Sequence, residues 1–291
     1  MAKLLLGKEV NEALVANLQG RTAALRDKGV APTLGIIRVG ARPDDLSYEK
    51  GAIKKAEQVG IDVKVIELPE DADREAVLAA VDQVNADAAI HGVLMFQPFP
   101  AHLRPYQREI CNRLDPKKDM DCLTDLSSAG VYQGRDDLGY APCTPSACME
   151  ILDYYGIDCK GKNAVVIGRS LVVGKPAAMM LMGKNATVTI CHTRTVNTAE
   201  ICKKADIIVT AAGVLGSLTK DFVSEGQIVI DVSMNWNPEK VTSKGKGGMS
   251  GDCVFDEVEP IVGAITPVPG GVGAVTTTVL MKHVVEAAEK A

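Results

Sequence analysis

The stretch that decides the fold is Asn163-Ala-Val-Val-Ile-Gly-Arg-Ser-Leu-Val-Val-Gly-Lys-Pro176. A β-branched run that ends at glycine indicates a strand, and the residues after Gly174 are typical of a helix. This arrangement places backbone N–H groups at a helix N-terminus, where they and the helix dipole favour a phosphate group. Only Gly168 and Gly174 are present, and their spacing differs from G-x-G-x-x-G. By themselves they also fit two turn glycines in any strand–helix–strand unit.

Strands and helices alternate on both sides of this stretch. The pattern predicts strands over 33–39, 62–68, 92–96, 163–167, 187–191, 206–210 and 227–232, and helices over 8–28, 44–59, 73–84, 175–182, 198–204 and 272–291. Asp44 and Asp45 are the predicted N-caps of the second helix. The alternation predicts an α/β protein with parallel sheets, and its restart near 163 predicts two domains with a boundary at 140–150. The polar, Gly- and Lys-rich segment 235–251 is expected to be a surface loop or hairpin.

Composition narrows the class of protein. A chain of 291 residues with 46% hydrophobic and 24% charged residues is expected to fold into two globular domains. The net charge of −5 disfavours a nucleic-acid surface. No apolar run is long enough for a membrane span or a secretory signal, so we expect a cytoplasmic protein. The eight cysteines are scattered, which predicts free thiols and no metal site.

The tip of the strand after the glycine loop indicates the cofactor. It reads Cys191-His192-Thr193-Arg194-Thr195 and contains no Asp or Glu to bind a ribose 2′-hydroxyl. Arg169, Thr193 and Arg194 could instead hold a 2′-phosphate. We therefore expect NADP, with NAD as the alternative.

Five segments together resemble the methylenetetrahydrofolate dehydrogenase/cyclohydrolase family. The glycine loop and Pro267-Val268-Pro269-Gly270-Gly271-Val272-Gly273 carry the resemblance most strongly. The other three, in the same order and spacing, are Val39-Gly40…Pro43…Tyr48, Lys118-Asp119-Met120-Asp121 and Pro142-Cys143-Thr144-Pro145.

The resemblance implies an N-terminal α/β catalytic domain, a C-terminal Rossmann domain and a cleft between them. The folate domain is then 1–143 with the C-terminal helix 272–291, and the nucleotide domain is 144–271. The implied reaction moves a hydride from methylenetetrahydrofolate to NADP, and a second reaction, cyclohydrolase, adds water to the methenyl product. The resemblance also implies a homodimer.

Site residues carry over from the family one by one. Tyr48 matches the tyrosine that lies against the folate, and Asp121 matches the carboxylate that holds the pterin ring, so both are the expected catalytic residues. The expected substrate-binding residues are Tyr48, Gln97, Asp121, Pro269, Gly270 and Gly271. The expected cofactor-binding residues are Gly168, Arg169, Ser170, Gly174, Lys175, Pro176, Thr193, Arg194, Gly213, Gly273 and Thr276. Each also has a purely structural interpretation: Tyr48 as packing, Asp121 as a turn cap and the glycines as a helix entry.

The chain departs from the family pattern at two coupled positions. The family has Tyr-x-x-x-Lys with a cyclohydrolase lysine, and this chain has Ala52; the family glutamine bonded to that lysine corresponds to Phe96. On a helix, Ala52 shares the face of Tyr48, whereas Lys50 points about 160° away. Gln97, one residue later on a strand, is expected to face the opposite side of the sheet. We therefore expect weak or absent cyclohydrolase activity, the alternative being a bifunctional enzyme in which Lys55 or Lys50 substitutes.

Two other functions stay open from the sequence alone. One is a Rossmann dehydrogenase of an amino or hydroxy acid, although no acid–base partner for Asp121 is evident. The other is a protein that binds folate and nucleotide without turnover.

Overall fold

The computed structural model describes residues 1–243 and 245–291. Its strands are β1 (Lys3–Leu4), β2 (Thr33–Val39), β3 (Asp62–Leu68), β4 (Gly92–Met95), β5 (Asn163–Ile167), β6 (Thr187–Cys191), β7 (Ile207–Thr210), β8 (Ile228–Asp231), β9 (Asn235–Thr242), β10 (Gly245–Ser250) and β11 (Ala264–Ile265). Its helices are α1 (Gly7–Asp27), α2 (Pro43–Val59), α3 (Arg74–Ala86), α4 (Gln107–Arg113), α5 (Asp125–Gln133), α6 (Cys143–Tyr154), α7 (Gly174–Gly183), α8 (Thr198–Lys203), α9 (Phe255–Val258) and α10 (Thr276–Glu289).

The chain divides into two compact units. The glycine-loop unit comprises Met1–Asn11 and Thr144–Thr276, and the Tyr48 unit comprises Glu12–Cys143 and Thr277–Ala291. These bounds differ from the predicted ones at two places: residues 1–11 belong to the glycine-loop unit, where β1 pairs with β11, and so do residues 272–276. A two-residue strand has too little periodicity to be predicted from sequence.

A three-stranded parallel sheet in the order β3-β2-β4 forms the centre of the Tyr48 unit. Every residue of the central strand β2 is buried, which explains its nearly continuous apolar run. The outer strand β3 is partly exposed. An apolar cluster packs α3 and α4 against this sheet, with Val81, Val93 and Ile110 each completely buried.

The start of α2 corrects one prediction. Asp44 and Asp45 are not N-caps: the helix begins at Pro43, and both residues lie in its first turn. Proline favours the first helical position because its fixed φ suits the helix and its missing N–H needs no partner there. The carboxylate of Asp45 instead pairs with Arg42 at 2.8 Å. The helix ends, as predicted, at Gly60, whose φ is +82°.

A six-stranded parallel sheet in the order β1-β11-β8-β7-β5-β6 forms the centre of the glycine-loop unit. The chain passes from β5 to β6 on one side and then to β7 on the other. The carboxyl ends of β5 and β7 therefore form the topological switch point, where α/β sheets bind their ligands. The segment 235–251, predicted to be a surface loop or a hairpin, contains the antiparallel hairpin β9–β10. Lys244 lies outside the described residues.

The predicted α/β class with parallel sheets is confirmed. No helix in the described ranges is long and apolar enough to cross a membrane. All eight cysteines are free thiols.

Candidate functional site

The glycine loop lies at the switch point of the larger sheet. Gly168 follows β5 directly and has a φ of +125°. A Cβ atom at Gly168 would lie 2.3 Å from the carbonyl oxygen of Ala211, and one at Gly174 would lie 2.3 Å from the carbonyl oxygen of Gly168. Both positions therefore require glycine, because three backbone segments approach one another too closely for a side chain.

The same loop presents backbone donors. Among the residues that the structure describes, the N–H groups of 169–172 have no hydrogen-bond acceptor. The Ser170 hydroxyl accepts hydrogen bonds from the N–H groups of Val173 (3.1 Å) and Gly174 (3.3 Å), which fixes the turn into α7. Open donors at the start of a ten-residue helix suit an anionic group, so these residues fit the pyrophosphate of a dinucleotide.

The remaining predicted cofactor residues of this unit lie on nearby segments. Thr193 and Arg194 are exposed on the turn after β6, where Arg194 N–H donates to the His192 ring at 3.1 Å. Lys175 is exposed and Pro176 is buried in the first turn of α7. Gly213 is exposed on the segment after β7 and has a φ of +67°.

The Pro-Gly-Gly segment is held by a residue that the sequence did not single out. Gly270 is exposed with a φ of +105°, and its carbonyl accepts a hydrogen bond from Gly7 N–H at 2.8 Å. A Cβ atom at Gly7 would lie 2.1 Å from the carbonyl oxygen of Gly271. The backbone at Gly7 thus supports the segment from behind, while Pro269 and Gly270 stay accessible.

Two further predicted residues lie just after this segment. Gly273 is exposed, and a Cβ atom there would lie 3.2 Å from the Met234 sulfur. The Thr276 hydroxyl donates to the carbonyl of Val272 at 3.2 Å, within the turn that leads into α10.

In the Tyr48 unit, Tyr48 lies on α2 with 41% of its surface exposed. Its ring meets Phe96 edge-on, with 5.9 Å between the ring centroids. Partial burial raises the pKa of Tyr48, and the nearby Cys143 and Asp121 raise it further, although a hydrogen bond with Thr277 acts in the other direction. The phenol is therefore neutral at physiological pH.

Asp121 lies in the same unit, and its Oδ1 accepts a hydrogen bond from Cys143 N–H at 2.8 Å. Burial raises the pKa of Asp121 to about 6, against the opposing effect of the Cys143 bonds. The carboxylate is ionised at neutral pH and can accept N–H donors from a ligand.

The residues before Asp121 anchor it. The Lys118 ammonium donates to three carbonyls at the end of α3, those of Val84 (2.8 Å), Asn85 (3.0 Å) and Asp87 (2.8 Å). The completely buried Asp119 accepts hydrogen bonds from Leu123 N–H and Thr124 N–H.

Met120, which lies between Asp119 and Asp121 in the chain, is held in place by a contact with α10. Its side chain is completely buried, and its carbonyl lies 2.9 Å from Nδ1 of His283. Lys118, Asp119 and Met120 are thus structural, and together they present Asp121.

The two departures from the family pattern lie beside Tyr48. Ala52 is completely buried on α2, and Phe96 is half-buried against the Tyr48 ring. The side chain of Gln97 is half-buried, and its amide donates to the sulfur of Cys111 on α4 at 3.2 Å. Lys55 Nζ donates to Gln58 Oε1 at 2.9 Å, and Lys50 is exposed.

Comparison with known proteins gives the family. The model of the tetrahydrofolate dehydrogenase/cyclohydrolase catalytic domain matches residues 5–121, and that of its NAD(P)-binding domain matches 142–291. The chain is 52% identical over 289 residues to the bifunctional protein FolD of Carboxydothermus hydrogenoformans, covering 99% of this chain and 98% of that protein.

Solved structures of proteins from the same family are also similar to this chain. The FolD methylenetetrahydrofolate dehydrogenase/cyclohydrolase of Campylobacter jejuni superposes with a TM-score of 0.92 at 35% identity, over 100% of this chain and 99% of that one. The Trypanosoma brucei FolD, solved with NADP cofactor and inhibitor, has a TM-score of 0.89 at 32% identity, with coverages of 99% and 98%. The resemblance seen in the sequence is confirmed: the chain belongs to the tetrahydrofolate dehydrogenase/cyclohydrolase family.

Proposed function

We propose that the protein is an NADP-dependent methylenetetrahydrofolate dehydrogenase with weak or absent cyclohydrolase activity. Family membership supports the dehydrogenase. The observation that carries the second part is the pair beside Tyr48, where position 52 holds a buried alanine and Phe96 fills the adjoining space.

Hydride transfer makes modest chemical demands on this chain. NADP, when bound, supplies the hydride acceptor, and the N5 lone pair of the folate stabilises the methenyl cation that results. The protein must align the two reactants, which alone lowers the barrier substantially. Asp121 orients the pterin through its N–H donors, and Tyr48 offers an aromatic face and a neutral hydroxyl. Neither residue has to move a proton in this step.

Hydration of the methenyl cation does require proton transfer. The methyl group of Ala52 has no proton to exchange, and the ring of Phe96 places carbon where the family has an amide. Tyr48 is a poor base because its pKa is raised. No group in this immediate set can accept the proton of the attacking water, so we expect the dehydrogenase to operate without its companion reaction.

The competing proposal is a bifunctional enzyme in which Lys55 or Lys50 takes the role of the family lysine. Burial and the charge of Lys54 lower the pKa of Lys55, which favours a proton-transfer role. Against it, the ammonium of Lys55 is bonded to Gln58 on the same helix. Lys50 points away from the face that Ala52 shares with Tyr48.

Variants of α2 separate the two proposals. Introducing Ala52→Lys together with Phe96→Gln should create cyclohydrolase activity while NADPH formation persists. Lys55→Ala and Lys50→Ala should leave both reactions as in the wild type, and Lys160→Ala, an exposed lysine outside α2, is the control. Wild-type hydrolysis of methenyltetrahydrofolate that disappears in Lys55→Ala or Lys50→Ala would establish the bifunctional alternative instead.

Preference for NADP is supported by the non-acidic turn after β6. Thr193 and Arg194 are exposed there, and Arg169 is exposed on the glycine loop. An arginine can bind the 2′-phosphate of NADP through two parallel hydrogen bonds, and NAD has no phosphate at that position. Steady-state rates with each cofactor test this, and equal kcat/KM for NAD and NADP would contradict it.

We also propose a homodimer, as the family resemblance implies. Sedimentation equilibrium should then give twice the chain mass of 30.8 kDa. A single species at the chain mass, at concentrations used for assay, would contradict the dimer.

A further inference from the structure

Asp252 has no role in the function proposed above, yet it is the most heavily hydrogen-bonded carboxylate of the glycine-loop unit. It lies just after β10 and is completely buried. Its two oxygens accept six hydrogen bonds, from Thr210 Oγ1 (3.0 Å), Ala212 N (2.7 Å), Gly213 N (3.3 Å), Val214 N (2.8 Å), Ser233 Oγ (2.8 Å) and Asn235 Nδ2 (3.1 Å).

These donors come from three separate parts of the chain. Thr210 ends β7 and leads into the segment 211–214, Ser233 follows β8, and Asn235 begins β9. Three of the six donors are consecutive backbone N–H groups, of residues 212–214. A buried charge that accepts several N–H bonds holds them in one geometry, because moving any of them would leave the charge less solvated.

The segment that Asp252 holds is the one against which the glycine loop packs. The carbonyl oxygen of Ala211 lies only 2.3 Å from the position that a Cβ atom of Gly168 would take. The carbonyl of Gly168 in turn lies against Gly174, so the loop packs on Ala211 at the start of the segment 211–214. Displacing this segment would move the open N–H groups of 169–172.

Ser233 completes the arrangement. Its hydroxyl donates to Asp252 at 2.8 Å and accepts the hydrogen bond of Gly213 N–H at 3.2 Å, so it joins the carboxylate to the segment a second time. The backbone of Asp252 is itself fixed, because Asp252 N–H and Cys253 N–H donate to the buried Asp231.

We propose that Asp252, with Ser233, is a positioning residue for the dinucleotide: it fixes the segment 211–214 and thereby the glycine loop at the switch point. The inference rests on the proposed NADP binding. Asp252 lies outside the predicted site, and its role would be to keep the N–H groups of 169–172 in place before the cofactor binds.

The test compares NADPH affinity in three variants of the full chain. Asp252→Asn keeps the size of the side chain but replaces one accepting oxygen with an N–H₂ group, which would face N–H donors. The substitution should raise the Kd of NADPH about tenfold or more. Ser233→Ala removes the bond to the carboxylate and the bond from Gly213 N–H but leaves the other five donors of Asp252, and should raise the Kd about threefold. Asp206→Asn is the matched control: its carboxylate accepts Asn163 N–H at the opposite end of β7, and its Kd should match the wild type.

Kinetics separate positioning from a general structural role. In Asp252→Asn the KM for NADP should rise while the KM for methylenetetrahydrofolate and kcat at saturating NADP are retained. The inference would be overturned if Ser233→Ala had the wild-type Kd and Asp252→Asn either had it too or lost affinity for folate and NADP alike. If Asp252→Asn does not fold, Ser233→Ala decides alone. A wild-type protein that fails to bind NADPH refutes the proposed function itself, and the variants are then not needed to recognise that failure.

Discussion

Replacing Asp121 by asparagine isolates the charge that we expect to hold the pterin ring. The amide keeps the Oδ1 that accepts Cys143 N–H at 2.8 Å, so the local backbone should be retained. What disappears is the negative charge opposite the N–H donors of the ligand. A hydrogen bond to a charged group contributes about 2 kcal/mol, so the KM for methylenetetrahydrofolate should rise roughly thirtyfold.

The pH dependence follows from the same residue. The pKa of Asp121 is raised to about 6, so the carboxylate that binds folate is lost as the pH falls below that value. The wild-type kcat/KM for folate should then decrease as the pH falls below 6 and level off near the roughly thirtyfold loss expected for the uncharged asparagine variant. The asparagine variant should show no such dependence. Initial rates of NADPH formation, measured on both sides of pH 6, give both results.

The Asp121→Asn substitution that weakens folate binding should not destabilise the protein. Because the pKa of Asp121 in the folded protein lies above its ordinary value of 3.8, ionisation opposes folding, and this penalty is fully present above about pH 6. At neutral pH the asparagine variant should therefore unfold at the same temperature as the wild type or a higher one. A variant with unchanged folate KM, or with a lowered unfolding temperature that accounts for its lost activity, would refute the substrate-binding role of Asp121.

Three further predictions concern the two units separately. Arg194→Ala should raise the KM for NADP about tenfold and leave the KM for NAD unchanged, since a charge-assisted contact to the 2′-phosphate is lost; a parallel rise for both cofactors would contradict it. Gly168→Ala should abolish NADPH binding in a fluorescence titration, whereas Gly161→Ala, which also has a positive φ but meets only open space, should cost about 1–2 kcal/mol of stability and keep binding. Lys118→Met should lower the free energy of unfolding by about 2–3 kcal/mol in a urea titration because three carbonyls lose a charged donor, and the exposed control Lys117→Met should stay near the wild-type value.

The main elements of the fold could be predicted because their sequence patterns are long. Strand β2 is buried throughout and mostly apolar, and α1 places Val10, Leu18 and Leu25 on one buried face. The two-residue strands β1 and β11 and the helices α4, α5 and α9 were missed, because none of them carries a periodic apolar pattern that stands out from the surrounding loops. The N-cap of α2 was placed wrongly because the preference of Pro43 for the first helical position outweighs the preference of aspartate for the cap.

The candidate site shows a similar division. The sequence placed Tyr48, Asp121 and the two glycine segments by resemblance, and the geometry adds why the glycines are required. It could not show that Lys118 and Asp119 anchor Asp121, since their partners lie at the end of α3 and the start of α5. Asp252 was missed because its six donors are spread over positions 210–235, and no local pattern links a carboxylate to backbone groups so far away in sequence.

The most direct test of the central claim is the rate at which purified wild-type protein hydrolyses methenyltetrahydrofolate. The same preparation, assayed for NADPH formation from methylenetetrahydrofolate, provides the internal control that the enzyme is folded and active. With Ala52 and Phe96 beside Tyr48, we expect NADPH to form while methenyltetrahydrofolate disappears only at its spontaneous rate. Hydrolysis well above the spontaneous rate, in proportion to enzyme concentration, would contradict the proposal that this site carries out one reaction and not two.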